Sequence, residues 1–481
     1  MEEINNPKQA QDRLLLEILK LYNSSQASAH KKINSYKEFL ELPIKEYADI
    51  EEDLLAGRLF PKKVRKFEKT SGSSGKNKYI PYSKELLKSF QKLFFIWAID
   101  ILKNIEFKKL TFYFSISPQF KSIDKNSEKY ETFESDKDYL GTTLSLLGAP
   151  FFVEIPRIKN ITDPNDFKMI LSLYLISRRD LEIISIWSPS FLLELRNFIN
   201  NNESKILKLL ERGSFTNSEG KVWRFKKVLL EDLSINSCFP SLRYISSWGS
   251  VNAKKQFHEI EAIFPKATIQ KKGLLATEAP MTLPIFEANG FVPLLTEVFF
   301  EFISSDNQTL RLHELEVDEI YEVIITQKSG LYRYRMKDQI IVTHIYKNTP
   351  CFDFYGRRDA LSDLVGEKLH ERDVQEAFEE TNALTAIPSE KQKKYLIFSE
   401  LELSLNEKEK ISTRLSKNYH YNNSLKLGQL KELDFIVISD CEAKISSFFE
   451  TVRMIKKGDQ KLSQLLYREV NEELVKYLLR S

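Results

Sequence analysis

Apolar residues recur at helical spacing at several places in the first half of the chain. In residues 8–22 they place Leu14, Ile18 and Tyr22 on one face, which predicts a helix that packs one side against a core. Ser35 followed by Glu38 is a capping-box pattern, and Pro43 ends the helix that it begins. Further helices are predicted at 44–55, 84–105, 167–176, 191–199 and 253–263, with Ser83 and Ser190 as N-caps of two of them.

Short runs rich in β-branched and aromatic residues lie between these helices. Runs at 110–116, 181–187 and 244–248 predict buried strands. Because short strands alternate with helices over residues 80–290, we expect an α/β sheet with helices on its faces. Past Pro265 the strand candidates become closely spaced and predict a β-rich meander instead of further βαβ units. They lie at 268–270, 273–276, 297–303, 319–326, 330–335, 340–346 and 352–355.

Residues beyond 359 have the pattern of a separate small α+β domain. Helices are predicted there at 371–381 and 407–417, and strands at 394–403 and 432–438. A chain of 481 residues exceeds one core, because single cores stop growing near about 250–300 residues. We therefore predict an α/β protein whose large N-terminal domain, residues 1–355, combines mixed α/β sheets with a β-rich subdomain. A hinge at 356–359 and a small mobile C-terminal domain at 360–481 complete the expected organisation.

Composition and charge exclude several classes of function. With 71 basic and 68 acidic residues the net charge is +3, so no strong field favours nucleic acid or an anionic membrane. Cys238, Cys351 and Cys441 lie far apart, which suggests a reducing compartment without a disulfide framework. The six histidines show no paired-ligand spacing for zinc. Since no run approaches about 18 apolar residues and no signal core begins the chain, we expect a soluble cytoplasmic protein.

The densest candidate chemistry lies in residues 70–78. Four hydroxyl side chains, two glycines and two lysines occupy these positions, a composition typical of a loop that wraps a polyphosphate. It is not a Walker A loop, because Thr70 stands five residues before Gly75 and Asn77 follows the lysine. A helix beginning at Ser83 would add a dipole that favours anions. A flexible Ser/Gly surface loop remains the alternative from composition alone.

Six stretches in order resemble one known family. They are residues 39–47, 70–81, 187–192 (WSPSFL), 273–278 (GLLATE), 331–338 (LYRYRMKD) and 354–359 with 366–369 (FYGRRD, GEKL). Each stretch alone is weakly specific, but their order and spacing from about residue 35 to 370 resemble the auxin-responsive Gretchen Hagen acyl acid–amido synthetases. That family is a branch of the adenylate-forming superfamily, which also contains acyl-CoA synthetases and luciferase.

The resemblance implies an adenylate-forming enzyme fold and an ATP-dependent ligase reaction. A small carboxylic acid is adenylated with loss of pyrophosphate, and its acyl group then passes to an amino acid or other amine. ATP and Mg²⁺ are the implied cofactors, and we expect a monomer without a nucleic-acid or membrane partner. Two other readings stay open, namely thioester formation with coenzyme A and a catalytically weak nucleotide- or ligand-binding relative.

The resemblance also implies roles for residues around the loop. Lys78 would add charge to a clamp on the β- and γ-phosphates, which is formed by Ser71, Gly72, Ser73, Ser74 and Gly75. Thr277, beside Ala276, would contact the α-phosphate, and Glu278 would act in catalysis by holding Mg²⁺, which prefers carboxylate and phosphate oxygens. An ordinary capping pair at a strand end is the alternative for Thr277 and Glu278.

Three implied residues lie further along the chain. Asp338 would accept hydrogen bonds from the ribose hydroxyls, or would pair with nearby Arg333 or Arg335. Arg357 would contact the ribose or a phosphate, or would pair with Asp359. Lys368 is the implied second catalytic cation near the α-phosphate, with a solvated lysine as its alternative.

The chain departs from the family pattern at several positions. Leu274 and Ala276 replace the commoner aromatic and hydroxyl residues before Thr277, and Lys337 replaces a glycine that would suit a tight turn. The family also carries a C-terminal lysine that moves in for adenylation. Leu466 stands at its aligned position, and Lys461 reaches that position only with a shifted register.

Overall fold

The structure is a computed structural model that places the chain in two compact units. The first comprises Met1–Met336 and Ile340–Phe354, and the second comprises Lys337–Gln339 and Tyr355–Ser481. The residues that the structure describes are 2–29, 31–60, 64, 67–70, 78–114, 151–161, 163–186, 189–249, 254–357, 361–362, 364–365, 367, 369–427, 429–453, 463–466 and 471–480.

Most predicted helices of the first unit are present. The described helices are α1 (Glu2–Asn5), α2 (Pro7–Asn23), α3 (Tyr36–Phe39), α4 (Tyr47–Leu55), α5 (Lys84–Asn104), α6 (Pro164–Ser177), α7 (Pro189–Asn201), α8 (Glu203–Arg212), α9 (Ile235–Cys238) and α10 (Lys254–Ile263). Ser83 caps α5 as predicted, since its hydroxyl accepts the Leu86 N–H at 3.2 Å. Ser35 caps α3, since its hydroxyl accepts the Glu38 N–H at 3.2 Å, but the Glu38 carboxylate accepts the Asn34 N–H at 2.7 Å, so only half of the predicted capping box is seen. Ser190 was wrongly predicted as a cap, because α7 already begins at Pro189.

The strands build several sheets of different kinds. In chain order they are β1 (Phe67–Thr70), β2 (Lys78–Pro81), β3 (Thr111–Phe114), β4 (Leu181–Ser185), β5 (Ser214–Thr216), β6 (Val222–Arg224), β7 (Tyr244–Ser247), β8 (Thr268–Lys271), β9 (Leu275–Ala276), β10 (Ala279–Pro280), β11 (Thr282–Ile285), β12 (Gly290–Pro293), β13 (Val298–Ile303), β14 (Thr309–Arg311), β15 (Ile320–Gln327), β16 (Tyr334–Tyr346), β17 (Thr349–Arg357), β18 (Leu361–Ser362), β19 (Leu369–His370), β20 (Ala383–Ser389), β21 (Lys394–Ser399) and β22 (Asp434–Val437).

A parallel sheet of four described strands, in the order β3-β4-β7-β8, forms the α/β part of the first unit. This confirms the predicted α/β alternation. The prediction that the meander begins at residue 268 was wrong, because β8 pairs in parallel with β7 after the crossover through α10. A run as short as β8 carries no periodicity that separates a parallel strand from a meander strand.

The meander itself is a sheet in the order β14-β13-β15-β16-β17. Every residue of β13 is buried, and all of them are apolar except Glu301. The strands predicted at 330–335 and 340–346 are one strand, β16, and Leu331–Arg333 lie outside it. Gly330 has a φ of 93° in the connection between β15 and β16.

The second unit has the predicted α+β composition. Its described helices are α11 (Glu371–Phe378), α12 (Leu405–Leu415), α13 (Tyr419–Lys426), α14 (Cys441–Thr451) and α15 (Asn471–Arg480). The strands β20 and β21 are antiparallel, and β22 joins β21 in parallel. Ala386 of β20 also bridges Leu465, so a C-terminal segment continues this sheet.

Lys337 lies inside β16 with a φ of 62°, the left-handed conformation that favours glycine. The lysine thus keeps a backbone conformation that suits the family's glycine. We expect Lys337→Gly to raise the free energy of unfolding by about 0.5–1 kcal/mol, because it relieves this conformation. Urea denaturation measures the change. Thr343→Gly, in the same strand without a positive φ, should instead lower the free energy, and a loss in both variants would contradict the prediction.

Candidate active site

The predicted phosphate loop connects two paired strands. In the hairpin β1–β2, Phe67 pairs with Pro81 and Thr70 with Lys78, so residues 71–77 connect the two strands in the sequence. Ile80 is fully buried and holds β2 on the core. The predicted ligands Ser71, Gly72, Ser73, Ser74 and Gly75 lie outside the described residues. The helix predicted to begin at Ser83 is present as α5, and β2 lies in the sequence between it and residues 71–77.

Lys78 links the end of the loop to a second motif. Its Nζ donates to the Tyr334 hydroxyl at 3.4 Å and lies 5.7 Å from the centre of the Tyr47 ring. The Tyr47 hydroxyl in turn accepts the Tyr79 N–H at 2.9 Å. The ammonium is therefore held among aromatic side chains at the base of the loop.

Thr277 and Glu278 form the two-residue turn of another hairpin. Their neighbours pair across it, Ala276 of β9 with Ala279 of β10. The Tyr82 hydroxyl donates to the Thr277 carbonyl at 2.8 Å, and Gln327 Nε2 donates to the Glu278 carbonyl at 3.3 Å. The turn is thus fixed from two sides, by the residue after β2 and by the last residue of β15. Neither Tyr82 nor Gln327 was predicted as a partner of this turn. The one signal in the sequence is that Tyr82 directly follows the loop motif.

Just before this hairpin, the backbone at Gly273 lies very close to the backbone at Thr282. A Cβ atom there would lie 2.3 Å from the Thr282 carbonyl oxygen, so no larger residue fits without a backbone shift. The Thr282 hydroxyl accepts the Leu274 N–H at 2.7 Å. Leu274 itself is buried in the core of the first unit, where it serves packing.

The arginines of the 331–338 motif are structural. Arg333 forms a bidentate ion pair with the fully buried Glu301, with Nε and Nη2 each 3.0 Å from a carboxylate oxygen. Burial raises the pKa of Glu301, and the Arg333 guanidinium opposes that rise. Arg335 Nε similarly lies 2.6 Å from Glu322. Both arginines thus form ion pairs with glutamates of the meander sheet.

In the second unit, Asp338 and Arg357 lie together. Arg357 Nε is 3.1 Å from Asp338 Oδ1, and the Asp338 side chain is 14% exposed. Two residues predicted to contact the ribose are thus ion-paired to each other, and Asp359 lies outside the described residues. This pairing would orient the carboxylate before any ligand arrives.

The segment around Lys368 is anchored by a carboxylate that sequence analysis missed. Glu367 is fully buried and accepts the backbone N–H groups of Leu364 and Val365 at 2.7 and 2.8 Å. Tyr395 donates its hydroxyl to the same carboxylate. Lys368 itself lies outside the described residues, but its neighbour is fixed in the core of the second unit.

Leu466 is part of a core. It is 9% exposed and packs with Ile387, Leu396 and Phe398, while its N–H donates to Ala386 at 2.9 Å. Lys461 lies outside the described residues. The aligned position of the family's lysine is therefore filled by a packed apolar side chain.

Glu278 is the carboxylate that the resemblance assigns to Mg²⁺, and its surroundings test that role. Within the described ranges, no group of three or more His, Cys, Asp or Glu residues is arranged to hold a metal ion. Mg²⁺ bound together with nucleotide uses one or two carboxylates and substrate phosphates, so one glutamate at a turn fits this chemistry.

Two remaining predictions concern cysteines and membranes. Cys238, Cys351 and Cys441 are free and buried, and burial raises the pKa of each thiol to about 11. Among the described residues, no helix is both long enough and apolar enough to cross a bilayer.

Comparison with known proteins identifies the same family as the motifs. The model of the GH3 family N-terminal domain matches residues 1–269, and the model of the GH3 family central domain matches residues 291–357. A probable indole-3-acetic acid-amido synthetase of Oryza sativa subsp. japonica is 41% identical over 71 residues, 15% of this chain and 12% of that protein. A 4-substituted benzoates-glutamate ligase of Arabidopsis thaliana is 31% identical over 99 residues, 20% of this chain and 17% of that protein. The aligned stretches thus span less than a fifth of these curated relatives.

Solved structures share the fold over the whole chain. The acyl acid amido synthetase GH3.15 has a TM-score of 0.80 at 17% identity, covering 100% of this chain and 94% of that one. A 2-hydroxyisobutyryl-CoA ligase in its postadenylation state has a TM-score of 0.56 at 12% identity, covering 100% and 92%. The predicted adenylate-forming fold is confirmed.

Proposed function

The chain belongs to the GH3 family, and we propose on this basis that it is an ATP-dependent acyl acid–amido synthetase. One observation carries the proposal most directly. Tyr82, which follows the loop hairpin, donates to Thr277 at 2.8 Å and so fixes the Thr277–Glu278 turn next to the base of that hairpin. Two motifs nearly 200 residues apart in sequence thereby share one local site.

The proposed reaction has two steps. The carboxylate of a small acid attacks the α-phosphorus of ATP and displaces pyrophosphate, and an amine nitrogen then attacks the acyl carbon and releases AMP. Both steps need donors where phosphate charge develops, which the loop residues 71–75, Lys78 and Thr277 would supply. Mg²⁺ on Glu278 would neutralise phosphate charge when bound. Asp338, oriented by Arg357, would receive the ribose hydroxyls, and Lys368 would lie near the α-phosphate.

We further propose the substrates, assembly and location that the resemblance implies. The substrates would be a small carboxylic acid and an amino acid or other amine, with ATP and Mg²⁺ as cofactors. A monomer is proposed. Three free cysteines far apart in the sequence support the proposal of a cytoplasmic, reducing location.

Pyrophosphate release tests the proposal. The purified chain is mixed with ATP, Mg²⁺ and aryl, indole and aliphatic acids, first without acceptor, then with mixed amino acids, and then with coenzyme A. We expect release that depends on the acid, and an amide product in the amino-acid arm. Consumption of the adenylate only in the coenzyme A arm would replace the amide-ligase reading with thioester formation.

The burial of Leu466 favours a second candidate, a nucleotide- or ligand-binding relative with weak catalysis. A packed leucine cannot supply the charge that a lysine would bring to the phosphates. Calorimetry with ATP separates the two candidates, because tight nucleotide binding without pyrophosphate release across the acid panel is the result expected of a binder.

Leu466→Lys probes this position directly. We expect the free energy of unfolding to fall by about 2 kcal/mol, because the substitution removes a packed side chain and places an ammonium group at the edge of a core. Thermal denaturation measures the loss of stability, and pyrophosphate release measures the effect of the new ammonium group on adenylation. Leu479→Lys, at a leucine that is 59% exposed, is the control and should leave stability nearly unchanged. A stable Leu466→Lys variant would contradict the prediction.

A further inference from the structure

A cluster of buried polar side chains lies at the carboxyl end of the parallel sheet. Ser185 is the last residue of β4, Ser246 lies in β7, and Lys272 directly follows β8. Lys272 Nζ donates to Ser185 Oγ at 2.7 Å and to Ser246 Oγ at 3.4 Å. In open α/β sheets, ligands bind outside the carboxyl ends of the strands. The cluster therefore occupies the edge where a ligand is expected.

The cluster is cationic and dry. Lys272 is 9% exposed, while Ser185 and Ser246 are almost completely buried. A hydroxyl that accepts a hydrogen bond keeps its own proton to donate, so Ser185 retains a donor beside the ammonium group. An ammonium group donates charge-assisted hydrogen bonds to a carboxylate, and these are stronger than hydrogen bonds between neutral groups. These groups together suit a carboxylate.

Aromatic side chains form the wall of the cluster on the α5 side. Lys272 Nζ lies 5.7 Å from the centre of the Trp97 ring, and the ring centres of Trp97 and Tyr244 are 6.1 Å apart. Trp97 Nε1 donates to Gln270 Oε1 at 3.4 Å, and Tyr244 donates its hydroxyl to the same oxygen. The flat apolar faces of these rings are suited to the carbon skeleton of a small acid.

We propose that this cluster binds an anionic group at the end of the acyl acid opposite the reacting carboxylate. The acid would then belong to the class that carries a second carboxylate. This inference rests on the proposed function. The reacting carboxylate would lie at Lys78 and Thr277, which belong to the two hairpins, whereas Lys272, Ser185 and Ser246 belong to the sheet.

The test compares acids that differ only in a second carboxylate. Terephthalate is paired with benzoate, and adipate with hexanoate, in pyrophosphate release and in calorimetry without ATP. We expect the unaltered chain to prefer each diacid at least tenfold. Lys272→Met should remove that preference by weakening the diacids and leaving the monoacids unchanged, and Lys272→Arg should restore part of it.

Lys271→Met is the matched control. Lys271 is the neighbouring lysine, its Nζ lies 5.6 Å from the centre of the Phe257 ring, and its replacement should alter neither class of acid. Should Lys272→Met fail to fold, Ser185→Ala tests the same cluster and should weaken the diacids severalfold. Equal binding of mono- and diacids by the unaltered chain, or an equal loss of both in Lys272→Met, overturns the inference.

Calorimetry distinguishes this inference from the proposed function. Diacid binding that depends on Lys272, without pyrophosphate release from any acid, would support the binding site and refute the ligase activity. Release from monoacids alone would support the ligase activity and refute the diacid site.

Discussion

Arg333→Met is expected to lower the free energy of unfolding by about 3–5 kcal/mol, because it leaves a buried carboxylate without its cation. Glu301 has no exposed surface. Its two carboxylate oxygens each accept a hydrogen bond from the Arg333 guanidinium. Arg333 Nη1 also donates to the carbonyls of Leu40 and Leu42, at 2.9 and 2.7 Å, so the variant loses the attachment of the segment after α3. Urea denaturation at pH 7.5 measures the loss.

The pH dependence of this loss provides a second measurement. Burial already raises the pKa of Glu301, so the folded chain binds this proton more tightly than the unfolded chain. Without Arg333 the pKa should rise further, and the variant's deficit should shrink as pH falls from 7.5 toward 5. The double variant Arg333→Met with Glu301→Leu should recover much of the stability, because no buried charge is left. A deficit that is equal at both pH values would contradict the ion-pair explanation.

Glu278→Gln is expected to reduce acid-dependent pyrophosphate release by about 10²–10³-fold, because it removes the charge assigned to the metal-bound phosphates. The substitution keeps the side chain's shape, and the turn is held through backbone carbonyls by Tyr82 and Gln327. The melting temperature should therefore stay within a few degrees of the unaltered chain. A higher Mg²⁺ requirement in the residual activity is the accompanying readout.

Two further variants make the Glu278 result specific. Glu261→Gln, on α10, changes charge away from the two hairpins and should leave release unchanged. Ser74→Ala, in the loop, should lower release in the same direction as Glu278→Gln. Release that persists when Ser74→Ala and Glu278→Gln are combined would contradict the assignment of both residues.

Local signals in the sequence predicted much of the fold. The hydroxyl caps Ser35 and Ser83 and the apolar face of α2 act within a few residues, so their sequence patterns were sufficient. Which sheet a strand joins was harder to predict from the sequence. β8 belongs to the parallel sheet because it pairs with β7, and no local pattern shows that pairing. The continuity of β16 was missed because Lys337, a charged residue with a positive φ, lies inside it.

The candidate site was predicted by motif, and its supporting contacts were not. Thr277 and Glu278 stood out as a Thr-Glu pair, but nothing in the sequence paired Tyr82 with Thr277 across almost the whole α/β region. The 331–338 motif suggested its arginines only as partners of Asp338, whereas Glu301 and Glu322 bind them from other strands of the meander. Ion pairs between remote segments depend on tertiary packing and leave no local sequence pattern.

The position of β8 has a practical consequence for dividing the protein into fragments. The family match ends at residue 269, inside β8, and resumes at residue 291, inside β12. A fragment cut at the first of these positions would sever the parallel sheet before Lys271 and omit the Thr277–Glu278 turn. A fragment of the first unit should therefore extend past Phe354, where its last segment ends, to Arg357, so that β17 stays intact.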